Sequence, residues 1–468
     1  MTSVGISHTK QLSPLERQLA DTASRKVHLW PSFFIVMLAI PFIIDVGTLR
    51  MTANRFFLLF LFFPAVIGWM FGKAGLKRKA DYYVIAFTIW TQIALIVDDG
   101  FNESIEAVGM QAIETLGAYF LGRTFVRTKF QYRAMCRSFL IVLTILLPFA
   151  FLEATLNRPL MIEITSKVWK TLAGVFTDRP GRLGLRRAQV SFEHPILFGL
   201  FASYGYGLCG YGMEKKKFGF MALARVIIPV ANTFFSLSTG AFLAVGTQIL
   251  FTAWEFITRT IAARWKILLG LVVAAYVTVD SLSNRSPFQV FVTYMTFDQA
   301  TSYNRVLIWN FGTKQVWLTP YFGIGHTGDW VRPWWMHPSM DNFWLVQAVQ
   351  HGVLAFVLIA VAIGYMLRDI CIAKIKSPEI LNMRLGWMFA MISMFVAICS
   401  VHLWNATYVF FMFMLGAGMW LADVNEDGTE NSDSAPADKV DVPVKPRNFR
   451  PASPRAAQPD AARVSKRR

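Results

Sequence analysis

An all-α integral membrane protein with about twelve transmembrane helices is predicted by three features: composition, recurring apolar runs and the spacing of basic loops. Hydrophobic residues make up 54% of the 468 and charged residues 16%, with a mean hydropathy of +0.42; a soluble domain carries roughly a quarter charged residues. Runs near the roughly 20 residues that cross about 30 Å of hydrocarbon fall at 30–46, 54–72, 82–98, 105–122, 135–152, 192–212, 218–236, 240–257, 265–283, 342–367, 384–402 and 404–422. Glu106 and Glu114 interrupt the fourth, and the last two nearly fuse, so a count of eleven stays open.

Lys and Arg gather at every second loop: Lys73/Lys77/Arg78/Lys79, Arg123/Arg127/Lys129/Arg133/Arg137, Lys215/Lys216/Lys217, Arg259/Arg264/Lys266 and Arg368/Lys374/Lys376/Arg384. By the positive-inside rule these loops, and with them both termini, are cytoplasmic. The domain organisation follows: a cytoplasmic segment 1–29 without a signal-peptide pattern, a transmembrane domain 30–422 whose first run is a retained anchor, and a basic tail 423–468 whose polar, Pro/Ala-rich composition reads as disordered. The formal charge of +17 thus reflects cytoplasmic loops and a tail that touches solvent or membrane lipid, and no nucleic-acid partner is expected. Cys136, Cys209 and Cys371 fall at inner helix ends and Cys399 within a helix, so disulfides are not expected.

Two long segments then lie outside, about 153–191 and 284–341. The first defies the charge rule, with Arg158, Lys167, Lys170, Arg179, Arg182, Arg186 and Arg187 against Glu153, Glu163 and Asp178. Two readings fit: long loops translocate with little regard to charge, or the Arg forks form an anion site suited to a lipid-linked diphosphate. The second segment holds a short helix from Ser302, its N-cap, to about Trp317, with Arg305 near the start, where the helix dipole offers a cation nothing. A turn at Pro320–Gly325 follows. Trp330, Trp334 and Trp335 fit an interfacial aromatic belt or a platform for sugar rings. At 337–342, His337-Pro338-Ser339-Met340-Asp341-Asn342 leads into the tenth helix with Ser339 or Asp341 as cap. A His beside a helix N-terminus stays neutral, which suits either a general base or a structural role.

Three stretches together resemble the O-antigen ligase and polymerase family of polysaccharide-assembly membrane proteins. They are Arg187-Ala188-Gln189-Val190-Ser191-Phe192-Glu193-His194-Pro195 with Gly199; Arg305 with Trp309, Pro320 and Gly323-Ile324-Gly325; and Asn342-Phe343-Trp344-Leu345 with His351-Gly352. The resemblance spans about residues 180–365. It implies a C-type glycosyltransferase-like fold under a long outer loop between helices nine and ten, location in the bacterial inner membrane, a polyprenyl-diphosphate-linked glycan donor, and neither metal nor other cofactor. Two positions depart from it. Asp341 stands where the family has His directly before Asn, leaving His337 and Asp341 as alternative bases on one face if 337–342 is helical. Ser236-Leu237-Ser238-Thr239-Gly240 lacks the family's Arg, leaving Arg186, Arg187 and Arg305 to hold the diphosphate.

The function so implied is polymerisation of lipid-linked repeats into O-antigen or exopolysaccharide, with His337 or Asp341 as base, Arg305 as catalytic cation and Trp334 and Trp335 on the glycan. Other polysaccharide assembly or export proteins are expected partners. Transfer of the finished polymer to lipid A core, a ligase reaction of lipopolysaccharide synthesis, uses the same donor chemistry. A twelve-helix secondary transporter is a weaker rival, because no internal repeat is seen, few charged residues lie deep within the helices and the longest loop falls outside, between helices nine and ten. Asp98-Asp99 with Glu103 and Glu106 reads as solvated helix ends and not as a metal site.

Overall fold

The computed structural model describes residues 27–171, 181–213, 219–294 and 299–424. The basic loop Lys215–Lys217, Asp178, Arg179, and nearly all of the amino-terminal segment and carboxy-terminal tail lie outside these residues. The chain is a helical, multi-pass membrane protein. In hydrocarbon every backbone N–H and C=O must be paired within the protein, which the α-helix does locally. Among the described residues, eight helices are long and apolar enough to cross a bilayer by themselves: Ala53–Met70, Lys79–Asp99, Lys129–Leu156, Thr239–Ile257, Arg264–Leu282, Val353–Ile372, Pro378–Ala397 and Asn405–Asp423.

In chain order, α1 (Trp30–Leu38) precedes a hairpin of β1 (Ile43–Val46) and β2 (Leu49–Thr52). The first apolar run is therefore not the continuous helix expected over 30–46. At nine residues α1 is only about 14 Å long, and Pro41, which has no N–H to extend the helix, sends the chain into the hairpin turn at Gly47 (φ 64°). Next come α2 (Ala53–Met70), α3 (Lys79–Asp99), α4 (Phe101–Ala112) and α5 (Ala118–Phe125), the last two joined by a π-turn at Ile113–Gly117. Glu114 sits in that turn and accepts Arg55 Nε at 2.7 Å, so the acidic interruption of the fourth run is neutralised within the bundle.

After α6 (Lys129–Leu156) and the short α7 (Leu160–Thr165) follow α8 (Pro195–Gly212), α9 (Phe220–Phe235), α10 (Thr239–Ile257), α11 (Arg264–Leu282), α12 (Pro287–Tyr294) and α13 (Gln299–Leu318). The chain ends its described part with α14 (Phe343–His351), α15 (Val353–Ile372), α16 (Pro378–Ala397) and α17 (Asn405–Gly418), capped by α18 (Trp420–Asp423). The tenth run is thus two helices, broken at Gly352. Seven residues, 398–404, separate α16 from α17, and Cys399 lies in that connection, past the helix end. All four cysteines are free thiols.

α8 lies at the centre, packed on α9, α16 and α10, while α17 packs along α5. The last span is 78% buried, whereas Arg264–Leu282 buries none of its residues and lies at the periphery. One end of the bundle carries the long loops and the hairpin. The other end carries a buried ionic network: Arg123 Nε meets Asp81 Oδ1 at 3.1 Å with both side chains at 0% exposure, and Asp423 receives Arg78 and Arg127 at 2.8 Å each. Asp423, read from sequence as the first tail residue, is the buried end of α18.

Candidate active site

The second and third sequence stretches fold against one another. Ile324 N donates to Val349 O (3.0 Å), Gly325 N to Gln350 O (3.1 Å) and Val353 N to Pro320 O (2.9 Å), so the 320–325 turn fills the backbone break between α14 and α15. Gly352 takes φ 81°, and a Cβ there would collide with Tyr321 O. Asp99, expected to be a solvated helix end, instead anchors this turn, accepting the amides of His326 (2.9 Å) and Thr327 (3.1 Å). Gly352→Ala should therefore cost roughly 1–3 kcal/mol in backbone strain alone. Gly364 has no atom within 4 Å of an added Cβ, so Gly364→Ala should be neutral or slightly stabilising. Thermal unfolding of the two variants in detergent, side by side, checks this.

The first stretch is held to the same end of the bundle. Glu153, near the end of α6, accepts the amides of Gln189 (3.3 Å) and Val190 (3.0 Å), while Arg186 N donates to Ala154 O (3.0 Å). His194 Nδ1 caps α8 by accepting Ile196 N at 3.0 Å, with Pro195 at the first helical position, where its missing N–H costs nothing. Gly199 lets α8 approach Ser236 and Ala241 of the 236–241 segment. These motif residues are chiefly architectural.

The chemistry gathers around Arg305 and Asp341. Arg305 lies in the second turn of α13, which begins at Gln299 and not at Ser302; Ser302 Oγ donates to Val292 O at 3.4 Å instead of capping. Arg305 is 7% exposed, and its Nε has no hydrogen-bond partner. Burial pulls its pKa below the ordinary arginine value, the Asp341 carboxylate opposes that pull, and the neighbouring Arg182 adds to it. Asp341 is held just before α14. The cap is Asn342, not Ser339 or Asp341: its Oδ1 accepts Leu345 N (3.0 Å) and its Nδ2 donates to Cys399 O (2.8 Å). Phe343 N adds bonds to Ile398 O and Val401 O. Burial raises the Asp341 carboxyl above the usual carboxylate range, and Arg305, with a smaller effect from His337, draws it back.

His337 and Asp341 thus meet electrostatically although 337–342 is not helical, so no shared helix face brings them together. His337 is exposed, and its Nδ1 accepts Ser339 N at 3.1 Å. That bond requires the Nδ1 lone pair, so the neutral ring carries its proton on Nε2 and presents a donor outward. Trp330 is 6% exposed and donates to Pro338 O (2.9 Å), a core residue of the loop, whereas Trp334 is 95% and Trp335 55% exposed.

Of the first loop's cations, Arg186 lies 4.0 Å from Glu153 and donates to Asn157 O at 3.4 Å, while Arg187 is half-buried. Lys170 pairs with Asp45 and Arg158 with Glu163. Arg182, counted with these cations but assigned no role from sequence, acts on Arg305 as a like charge. The local signal for it is the Leu183-Gly184 pair, which turns the chain at this point. Among the described residues, no group of three or more His, Cys, Asp or Glu side chains is placed to hold a metal ion. Neither the known protein-family models nor the curated protein sequences contain a match to this chain.

Proposed function

We propose that this chain is a metal-independent glycosyltransferase of the bacterial inner membrane that polymerises polyprenyl-diphosphate-linked oligosaccharide repeats into O-antigen or exopolysaccharide. In this reading the fold is C-type glycosyltransferase-like, with about twelve helices, the loop end outside and both termini cytoplasmic, and the protein works beside other polysaccharide assembly or export proteins. The observation that carries it is the buried Arg305, with its unsatisfied Nε, set against Asp341 at the loop end of a membrane bundle. A buried donor without a partner is costly, and an anionic ligand relieves the cost. A diphosphate leaving group supplies that anion.

An acceptor hydroxyl oxygen bonds to the anomeric carbon of the donor sugar as its proton passes to Asp341. The bond from that carbon to the diphosphate oxygen breaks, and polyprenyl diphosphate leaves with the electron pair. Arg305, helped by Arg186 and Arg187 of the first loop, stabilises the charge growing on the leaving oxygens. Trp334 and Trp335 offer exposed faces for sugar rings. Asp341 is favoured as base over His337, because its carboxylate lone pairs are available and its raised pKa suits proton capture. The rate should rise with pH as Asp341 deprotonates, with a midpoint above that of an exposed aspartate. Asp341→Asn should abolish this limb and His337→Ala should retain it, as read from chain-extension rates across pH.

The test in cells is deletion of the gene and complementation with wild type, Arg305→Ala, His337→Ala and Asp341→Ala, followed by surface-glycan gels. Single repeats still attached, with long chains lost, is the expected result for deletion, Arg305→Ala and Asp341→Ala. Long lipid-linked chains that are no longer attached indicate ligation in place of polymerisation. Unchanged glycan in every strain overturns the proposal.

A further inference from the structure

We propose that His351, at the junction of α14 and α15, acts as a proton-operated latch on the second loop. With its ring neutral the 320–325 turn stays docked in the junction, and uptake of a proton in acidic medium releases the turn. The inference goes beyond the functional reading and does not rest on it.

The last three carbonyls of α14 all accept donors from elsewhere in the chain. Val349 O takes Ile324 N (3.0 Å), Gln350 O takes Gly325 N (3.1 Å) and His351 O takes Trp90 Nε1 (3.0 Å). Trp90, from α3, also stacks on Phe322 of the turn, with ring centroids 5.4 Å apart. The His351 side chain lies in the same junction and is 2% exposed. Its ring meets that of His326 edge-on at 5.7 Å, and its Nδ1 has no hydrogen-bond partner. A cation there would be desolvated without an anion bonded to it, which is costly. A helix C-terminus ordinarily favours a cation, but the turn and Trp90 already occupy the carbonyls that would provide that help.

The titratable groups that act on His351 are His326 beside the turn, His402 from the connection between α16 and α17, and Asp99 from the end of α3. His351 lies outside the eight long spans. Burial pulls its pKa down to about 3, the two imidazoles add to that pull and Asp99 opposes it. Asp99 is committed as an acceptor to His326 N, Thr327 N and Thr327 Oγ1, so the turn itself uses the one carboxylate that would steady the charge. Departure of the turn opens His351 to water, where a histidine regains its ordinary value of about 6.5. Because the docked value is the depressed one, docking is fully favoured above about pH 6.5. Below that it loses about tenfold per pH unit for the one proton taken up. The helix α13, which carries Arg305, ends at Leu318 just before the turn, so release also frees the far end of that helix.

The test is hydrogen–deuterium exchange of the purified full-length protein in detergent at about pH 7.5 and about pH 5.5, corrected for intrinsic exchange rates. Peptides covering 320–327 are read against reference peptides from α5 and α10. Protection of 320–327 should fall about tenfold in wild type between the two conditions, while the references hold. His351→Gln, which cannot take up the proton, should remove the fall; His326→Gln and His402→Gln should keep it. A wild-type profile that does not change with pH, a fall shared by the reference helices, or a fall that persists in His351→Gln overturns the inference. Loss of the fall in His326→Gln or His402→Gln assigns the proton to another ring and overturns it too. Should His351→Gln fail to fold, those two variants decide, and a fall kept in both supports the latch. No substrate enters the measurement, so the latch and the functional reading stand or fall separately.

Discussion

Arg305→Ala is expected to reduce chain extension by about a hundred- to a thousand-fold, the usual cost of removing one preorganised donor from a developing negative charge. The protein itself should accumulate normally. Arg305 Nε has no hydrogen-bond partner to lose, and the attraction to Asp341 that the variant gives up is offset in part by relief of the repulsion from Arg182. Arg305→Lys should recover little, since an ammonium on a flexible stem does not reproduce the planar fork. Extension rates measured beside thermal unfolding separate these effects: activity lost with stability kept is the expected pattern. Parallel loss of both would make Arg305 a folding residue.

The second large effect lies at the opposite end of the bundle and falls on stability. Arg123 is wholly buried, donating to Asp81 Oδ1 at 3.1 Å and to Leu76 O at 2.5 Å, with Ala74 O and Asp423 as further acceptors. Asp81 in turn accepts Tyr119 Oη at 2.6 Å, Trp69 Nε1 at 3.1 Å and Arg78 N at 2.9 Å. The network joins α2, α3 and α5 to α18, which lies far from them in sequence. Removing one member of a buried pair strands the other charge, at a cost of roughly 3–5 kcal/mol. Arg123→Ala should therefore cut the yield of folded, monodisperse protein sharply. Arg123→Ala with Asp81→Ala together should be less harmful than the sum of the single variants, because the residues share one network.

The sequence made the membrane class legible because composition and apolar runs survive any error in helix boundaries. It misread α1 and the tenth run for one reason: hydropathy reports apolar length, not backbone continuity. Pro41 ends the first helix although Phe42, Ile43 and Ile44 keep the run apolar. Gly352 breaks the tenth because the 320–325 turn, distant in sequence, inserts its own hydrogen bonds there. Loop geometry was hidden likewise. The cap at Asn342 and the anchoring of the second loop by Asp99 are long-range contacts that no local pattern encodes. Within the candidate site, Arg305 stood out as a cation without a local reason to be where it is, and Asp341 as a departure from the family's His before Asn. Arg182 did not, because its bonds to Leu237 O and Thr239 Oγ1 are long-range contacts, and seven basic residues compete for attention in that loop.

Purified wild-type protein reconstituted in liposomes with a polyprenyl-diphosphate-linked repeat tests the central claim most directly. Glycan length and released polyprenyl diphosphate are followed with and without a metal chelator. A ladder of longer chains is predicted, with one polyprenyl diphosphate released per added linkage, unchanged by the chelator and absent with Asp341→Asn. No extension by the folded wild type, or extension that the chelator stops, would contradict the account.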